Sequence, residues 1–122
     1  MTTSEKATVL AWHDALNARD IDTLIELSSD DIEIGDAAGA AQGHAALREW
    51  AQALDVTAEP GRLYINGGTV VVEEQITTVT GETGVAASAF RVVHDKVTSV
   101  FRHDDLASAL AATELTEDDA TT

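Results

Sequence analysis

The hydrophobic pattern of this chain changes period at residue 55, and that change limits its folds more than any other feature. Up to Leu54 apolar residues recur at helical spacing; beyond it they fall into β-rich runs divided by turn signals. Val9, Trp12, His13 and Leu16 stand at i, i+3, i+4 and i+7, the stripe of an amphipathic helix, with Ser4 placed as its N-cap. "NARD" breaks that helix, and Asp20 or Asp22 can cap a short second one bearing Ile21, Leu24, Ile25 and Leu27. "SSDD" reads as a loop, residues 32–36 as a strand, and "AAGAAQG" as a small, flexible link. Leu47, Trp50, Ala51 and Leu54 form a third helical stripe.

The runs "RLYIN", "TVVVEEQITTVT", "GVAASAFRVV" and "KVTSVFRH" follow, with "GG" at 67–68, "TGETG" at 80–84 and "HD" at 94–95 as hairpin turns. They predict a meander of about four antiparallel strands. "DDLASALAATEL" can form a short last helix, and "TEDDATT" reads as a frayed acidic tail. Helices followed by an antiparallel meander are an α+β pattern. Three N-terminal helices covering one face of a curved antiparallel sheet would make a cone with one pocket at its open end. The expected organisation is a single domain over residues 1–112 and a flexible segment over 113–122.

Charge narrows the partners. The chain has 22 acidic and 7 basic residues, a formal net charge of −15. Such a surface repels phosphate backbones, which argues against nucleic acid and anionic membranes. Five of the bases are arginine and two are lysine, Lys6 and Lys96, a balance similar to cytosolic proteins of salt-loving organisms. There is no cysteine, hence no disulfide or thiolate chemistry. No apolar run reaches membrane-spanning length, and "MTTSEKATVL" lacks a signal-peptide pattern, so a cytoplasmic location is expected.

Asp36 is the first candidate for chemistry. Strand alternation carries it onto the face of Ile32 and Ile34, where an unpaired buried carboxylate is costly. It is either a pocket base or an anchor for the backbone amides of "AAGAA". Arg102 and Asp104 share a face by period two: Arg102 could bind an anionic or carbonyl oxygen and Asp104 act as a second acid/base, or the two form a surface ion pair. His13, Trp12 and Trp50 are core residues that could also line a pocket wall. The His-Asp pairs at 13–14, 94–95 and 103–104 diverge on strand or helix, so no metal site is expected. No phosphate loop or nucleophile motif is present, and no cofactor is expected.

Three stretches then point to one family. "WHDALNARDIDTLIELSSDDIEI", "GHAALREW" and "FRVVHDKVTSVFRHDDL" resemble the first helices and strand, the third helix and the last hairpin of the nuclear transport factor 2-like superfamily, in its SnoaL-like and ketosteroid isomerase-like branch. The resemblance covers roughly residues 5–112. It implies that Asp36 occupies the isomerase's general-base position and that, of the adjacent mid-strand Glu73 and Glu74, Glu73 faces inward with Gln75, a placement that a one-residue slip would reverse. It also implies that the oxyanion-hole positions hold Trp12 and Ala89 or Phe90, none of which reproduces the isomerase's donors. Members of the superfamily commonly dimerise through the convex sheet face, and apolar residues on both faces of 69–79 agree with a covered convex face.

Two functions follow as expectations. One is an acid/base isomerase, cyclase or hydrolase acting on an apolar carbonyl or epoxide compound, with Asp36 as base. The other is a non-catalytic module that binds a small hydrophobic molecule or assembles with itself.

Overall fold

Arg19 sets the first corner. Its left-handed backbone, φ 60°, ends α1 (Thr2–Asn17), and Asp20 then accepts from the Thr23 amide at 3.3 Å to open α2 (Ile21–Glu26). The computed structural model describes residues 2–36 and 39–121. α1 begins at Thr2, ahead of the expected cap at Ser4.

β1 (Ser28–Asp36) is longer than expected, and "GAAQ" is a strand, β2 (Gly39–Gln42), paired antiparallel to it. α3 (His44–Ala53) follows, then β3 (Val56–Asn66), β4 (Thr69–Thr78), β5 (Thr83–Val93) and β6 (Lys96–His103). Gly67–Gly68, φ 58° and 86°, and His94–Asp95, φ 51° and 64°, make two-residue hairpins of the kind in which both turn residues are left-handed. Pro60 lies in β3 beside the register shift that ends at Leu63, where its missing N–H interrupts no regular ladder.

Among the described residues the fold comprises four α-helices and one curved, unclosed seven-stranded sheet, in the order β2-β1-β6-β5-β4-β3-β7. The architecture is α+β, as expected. β1 joins the sheet parallel to β6, and the remaining pairs are antiparallel.

The helix-bearing face holds the main core. Val9, Trp12 and Leu16 of α1, Leu24 of α2, and Leu47 and Ala51 of α3 pack on Ile32, Ile34, Leu63, Val70, Val72, Phe90 and Val100. The opposite face is covered too, by the chain itself. α4 (Leu106–Thr113) and Leu115 bury Ala109 and Leu115 against Tyr64, Val71, Ala87 and Ala89.

The segment expected as a flexible tail is laid against this second face. Thr116 and Asp119 form a reciprocal capping box on a 3₁₀ turn, Glu117–Asp119. Tyr64 donates to Glu117 at 3.1 Å and Asn66 to Asp119 at 3.1 Å. Ala120–Thr121 then forms β7, which pairs with the edge of β3. An unpaired strand edge and a buried Leu115 explain why an acidic segment is held there.

Candidate functional site

Alternation along the strands places a row of polar side chains on the helix-bearing face. Val70 and Val72 lie in the main core and Val71 in the second one, so Glu74 points toward the helices and Glu73 away from them. This reverses the expected inward placement of Glu73 and Gln75. A shift of one residue exchanges the two faces, and three consecutive buried valines leave no polar position to mark which face is which.

Glu74 is 2 % exposed and meets His13 of α1, 0 % exposed, at 2.6 Å between Oε2 and Nε2. Ser88 of β5, also buried, donates its hydroxyl to Glu74 Oε1 at 2.7 Å. His13 Nδ1 lies 2.9 Å from the Val9 carbonyl oxygen. That oxygen can only accept, so Nδ1 carries a hydrogen. Between Nε2 and Oε2 one further proton must lie, as imidazolium with carboxylate or as neutral imidazole with carboxyl; either way the pair is neutral as a whole.

Aromatic rings close the interior around this pair. Trp12 meets Phe90 edge-on at 5.3 Å and Trp50 at 6.0 Å, and His13 lies 5.2 Å from Phe90. The indole N–H of Trp12 donates to Ser28 at 3.1 Å, and Ser28 donates to the Leu24 carbonyl at 2.8 Å. Side chains therefore pack closely around Phe90.

The cleft on this face is at the rim. Ile34, Gly35, Asp36, Gly39, Ala40, Ala41 and Trp50 line a volume of about 390 Å³. The Arg102 guanidinium lies over the Trp50 ring at 5.7 Å from its centre, a cation–π arrangement. Its Nε is buried and has no hydrogen-bond partner among the described residues. Ile34 pairs with Val100 and Gly35 with Phe101, so the next step of the parallel register sets Asp36 beside Arg102. Arg102 in turn lies directly across from Ser88. The row runs Asp36, Arg102, Ser88 and Glu74 over β1, β6, β5 and β4, with His13 above its inner end.

The residues singled out from sequence thus separate. Asp36, Arg102 and Trp50 meet at the rim, with the Asp36 side chain exposed. Trp12 and His13 are buried behind them. Glu73 faces a different cleft, of about 580 Å³, on the other side of the sheet with Glu59, Gln75 and Val85. Asp104 is exposed in the bend after β6, beyond the last strand residue, His103. Ser88 was missed as a site residue; Glu74 was one of two adjacent mid-strand glutamates, either of which could have faced inward. Among the described residues no group of three His, Cys, Asp or Glu side chains could hold a metal ion.

An α+β cone with α1, α2 and α3 on one face, α4 on the other and a polar row running in from the rim defines the class. Residues 9–106 match the SnoaL-like domain, and the chain belongs to that family. Solved structures share the fold. One is a provisionally assigned ketosteroid isomerase from Kribbella flavida, at TM-score 0.75 and 21 % identity over 82 % of this chain and 76 % of that one. Another is a provisionally assigned polyketide cyclase from Sinorhizobium meliloti, at TM-score 0.73 and 20 % identity over 80 % of this chain and 94 % of that one. TerC, co-crystallised with polyporic acid, matches at TM-score 0.72 and 19 % identity over 92 % of this chain and 97 % of that one. No functionally curated protein matches the chain.

Proposed function

We propose that the protein takes a small apolar molecule carrying a carbonyl or acidic oxygen into the rim cleft, with the oxygen on Arg102 and an apolar face on Trp50. The observation that carries this reading is the Arg102 guanidinium held over the indole of Trp50, which itself lines the cleft. A guanidinium fixed in this way presents N–H donors and a positive charge to an oxygen-bearing ligand. Asp36 lines the same cleft and is the proton acceptor if the bound compound reacts. The chemistry would be proton abstraction next to the carbonyl, with Arg102 stabilising the charge that develops on oxygen.

Binding without turnover is the second reading, and a specific contact favours it. The indole N–H of Trp12, at the first-helix position where the isomerase carries a donor, is committed to Ser28. Phe90 and Ala89 supply no donor from the later strand, so Arg102 is left as the candidate electrophile. A homodimer through the convex face is also proposed. With α4 covering part of that face, a partner copy would meet its remaining apolar surface, Val85 and Phe101.

Thermal shift with polyporic acid and with simple enones tests the binding reading. The wild type should melt higher with ligand, and Arg102→Leu and Trp50→Ala should lose that shift. Ligand shifts that survive in both variants would place binding elsewhere. Asp36→Asn separates the readings: turnover should fall by ~10²–10⁴-fold if Asp36 is a base, while binding is retained.

A further inference from the structure

We propose that His13 and Glu74 form a one-proton latch between α1 and the sheet, which loosens α1 and the Trp12 wall it carries when that proton is lost. The pair is buried, and its hydrogen-bond pattern calls for one bridging proton. Nδ1–H is committed to Val9, the Ser88 hydroxyl hydrogen is committed to Glu74 Oε1, and a single proton bridges the 2.6 Å contact. With no bridging proton, a lone pair on nitrogen would face a carboxylate oxygen. With two, the second would sit on Oε1, and the Ser88 hydroxyl would have to turn from donor to acceptor there. The first state breaks the side-chain contact between α1 and β4, and the second breaks the Ser88 bond that holds Glu74 in place.

The charged surroundings are few. On the face that His13 meets, β4 presents Glu74, β6 presents Arg102 one strand beyond Ser88, and β1 presents Asp36 at the rim. Strand alternation sends Glu59, Glu73 and Arg91 to the other face, where Tyr64, Val71 and Ala89 lie. On the helices, Asp14, Asp22, Glu26 and Glu49 are exposed, and Glu5 stands two turns before His13 on α1. No lysine lies on the inward part of the strands: Lys96 starts β6 and donates to the Glu26 carbonyl at 2.6 Å.

The direction of the pH dependence follows from counting protons in the two states. In the unfolded chain Glu and His titrate near ~4.3 and ~6.5. Between those values the unfolded pair also holds one proton, so folding exchanges none. Above ~6.5 the unfolded pair holds none, folding takes one up, and stability falls as pH rises. Below ~4.3 the unfolded pair holds two, folding releases one, and stability falls as pH falls. Glu74→Gln inverts this. Its amide can donate to a neutral His13 Nε2 and its carbonyl can accept from Ser88, so every bond is kept without a shared proton. The variant should show no dependence from this pair above ~6.5 and lose stability below it.

Urea unfolding of the wild type and Glu74→Gln from pH 4.5 to 8.5, at constant ionic strength, reads the difference. The remaining carboxylates and His44, His94 and His103 contribute alike to both proteins. The unfolding constant of the wild type relative to the variant should rise by up to ~10-fold per pH unit throughout this range, because the variant gains stability with rising pH below ~6.5 and the wild type loses it above. Nitrogen-15 spectra of wild-type imidazoles supply a second readout that needs no variant. At pH 8 the His13 signals should show hydrogen at Nδ1 and a proton at, or shared from, Nε2. Parallel stability curves for the two proteins would overturn the latch. So would a folded wild type whose His13 Nε2 shows a bare lone pair at that pH.

Discussion

Two adjacent glutamates with opposite surroundings make the sharpest contrast at the scale of single residues. Glu74→Ala leaves His13 buried and Ser88 without an acceptor, and should cost about 3–5 kcal/mol, as removal of one partner of a buried ion pair does. Glu73→Ala, on the other face beside an open cleft, should stay within about 0.5 kcal/mol of wild type. Ser88→Ala falls between, at about 1–3 kcal/mol, because Glu74 Oε1 loses its donor while its bond to His13 remains. Chemical denaturation of the three variants measures all of this; equal costs for the two glutamates would mean the strand register is shifted. The inward glutamate was half legible. Two acids in mid-strand require that one be inward, but period two cannot choose when Val70, Val71 and Val72 are all buried. His13 was legible as core from its place on the α1 stripe. Its partner was not, because a contact across 61 positions leaves no local mark.

At the scale of elements, the long strands and their turns were readable because each hairpin has left-handed turn residues of the expected kind. β2 was not. Its four exposed residues, "GAAQ", carry no apolar alternation, and only backbone pairing with β1 makes them a strand. Gly35 is the residue that permits this pairing. A Cβ there would stand 2.7 Å from the Phe101 ring, and 3.0 Å from both Ala40 Cβ and the Gly39 carbonyl oxygen. Gly35→Ala should therefore destabilise by about 1–3 kcal/mol through overpacking, and should disturb the rim cleft that the β1–β2 hairpin walls. Amide exchange at Ala41 and Gln42 would report it; unchanged exchange would show that Phe101 simply swings aside. α4 depends on a cap. Asp105 accepts from the Ser108 amide at 2.8 Å, and that bond holds its carboxyl below the usual range. A depressed carboxyl contributes stability above its unfolded value and loses it as pH falls through its folded value. Exchange protection in the first turn of α4 should therefore drop in acid, below the ordinary aspartate range, and should already be low at neutral pH in Asp105→Ala.

At the scale of the whole molecule, a net charge of −15 is carried on a sheet covered on both faces. The ion pairs among the described residues are His13–Glu74, His44–Asp30 at 3.8 Å and Arg62–Glu117 at 3.6 Å, and the last two are exposed. Exposed pairs contribute about 0–1 kcal/mol each, so they do not offset the mutual repulsion of so many surface acids. Salt acts on that repulsion through a screening length of ~10 Å at 0.1 M and ~3 Å at 1 M. If screening is the whole effect, the melting temperature should rise mostly below about 0.3 M sodium chloride and then level off. A continued rise toward molar salt would mean that ions are taken up specifically by the acidic surface, the behaviour expected of a protein from a saline cytoplasm. Self-association belongs to the same experiment. Two copies meeting through Val85, 63 % exposed, and Phe101, 37 % exposed, would bring Glu73 and Glu59 together near the contact. Dimerisation should therefore strengthen as salt rises, and light scattering across the series should pass from monomer toward dimer mass. A monomer mass at micromolar concentration in molar salt would end the dimer proposal. A flat melting temperature would show that the charge does not limit stability.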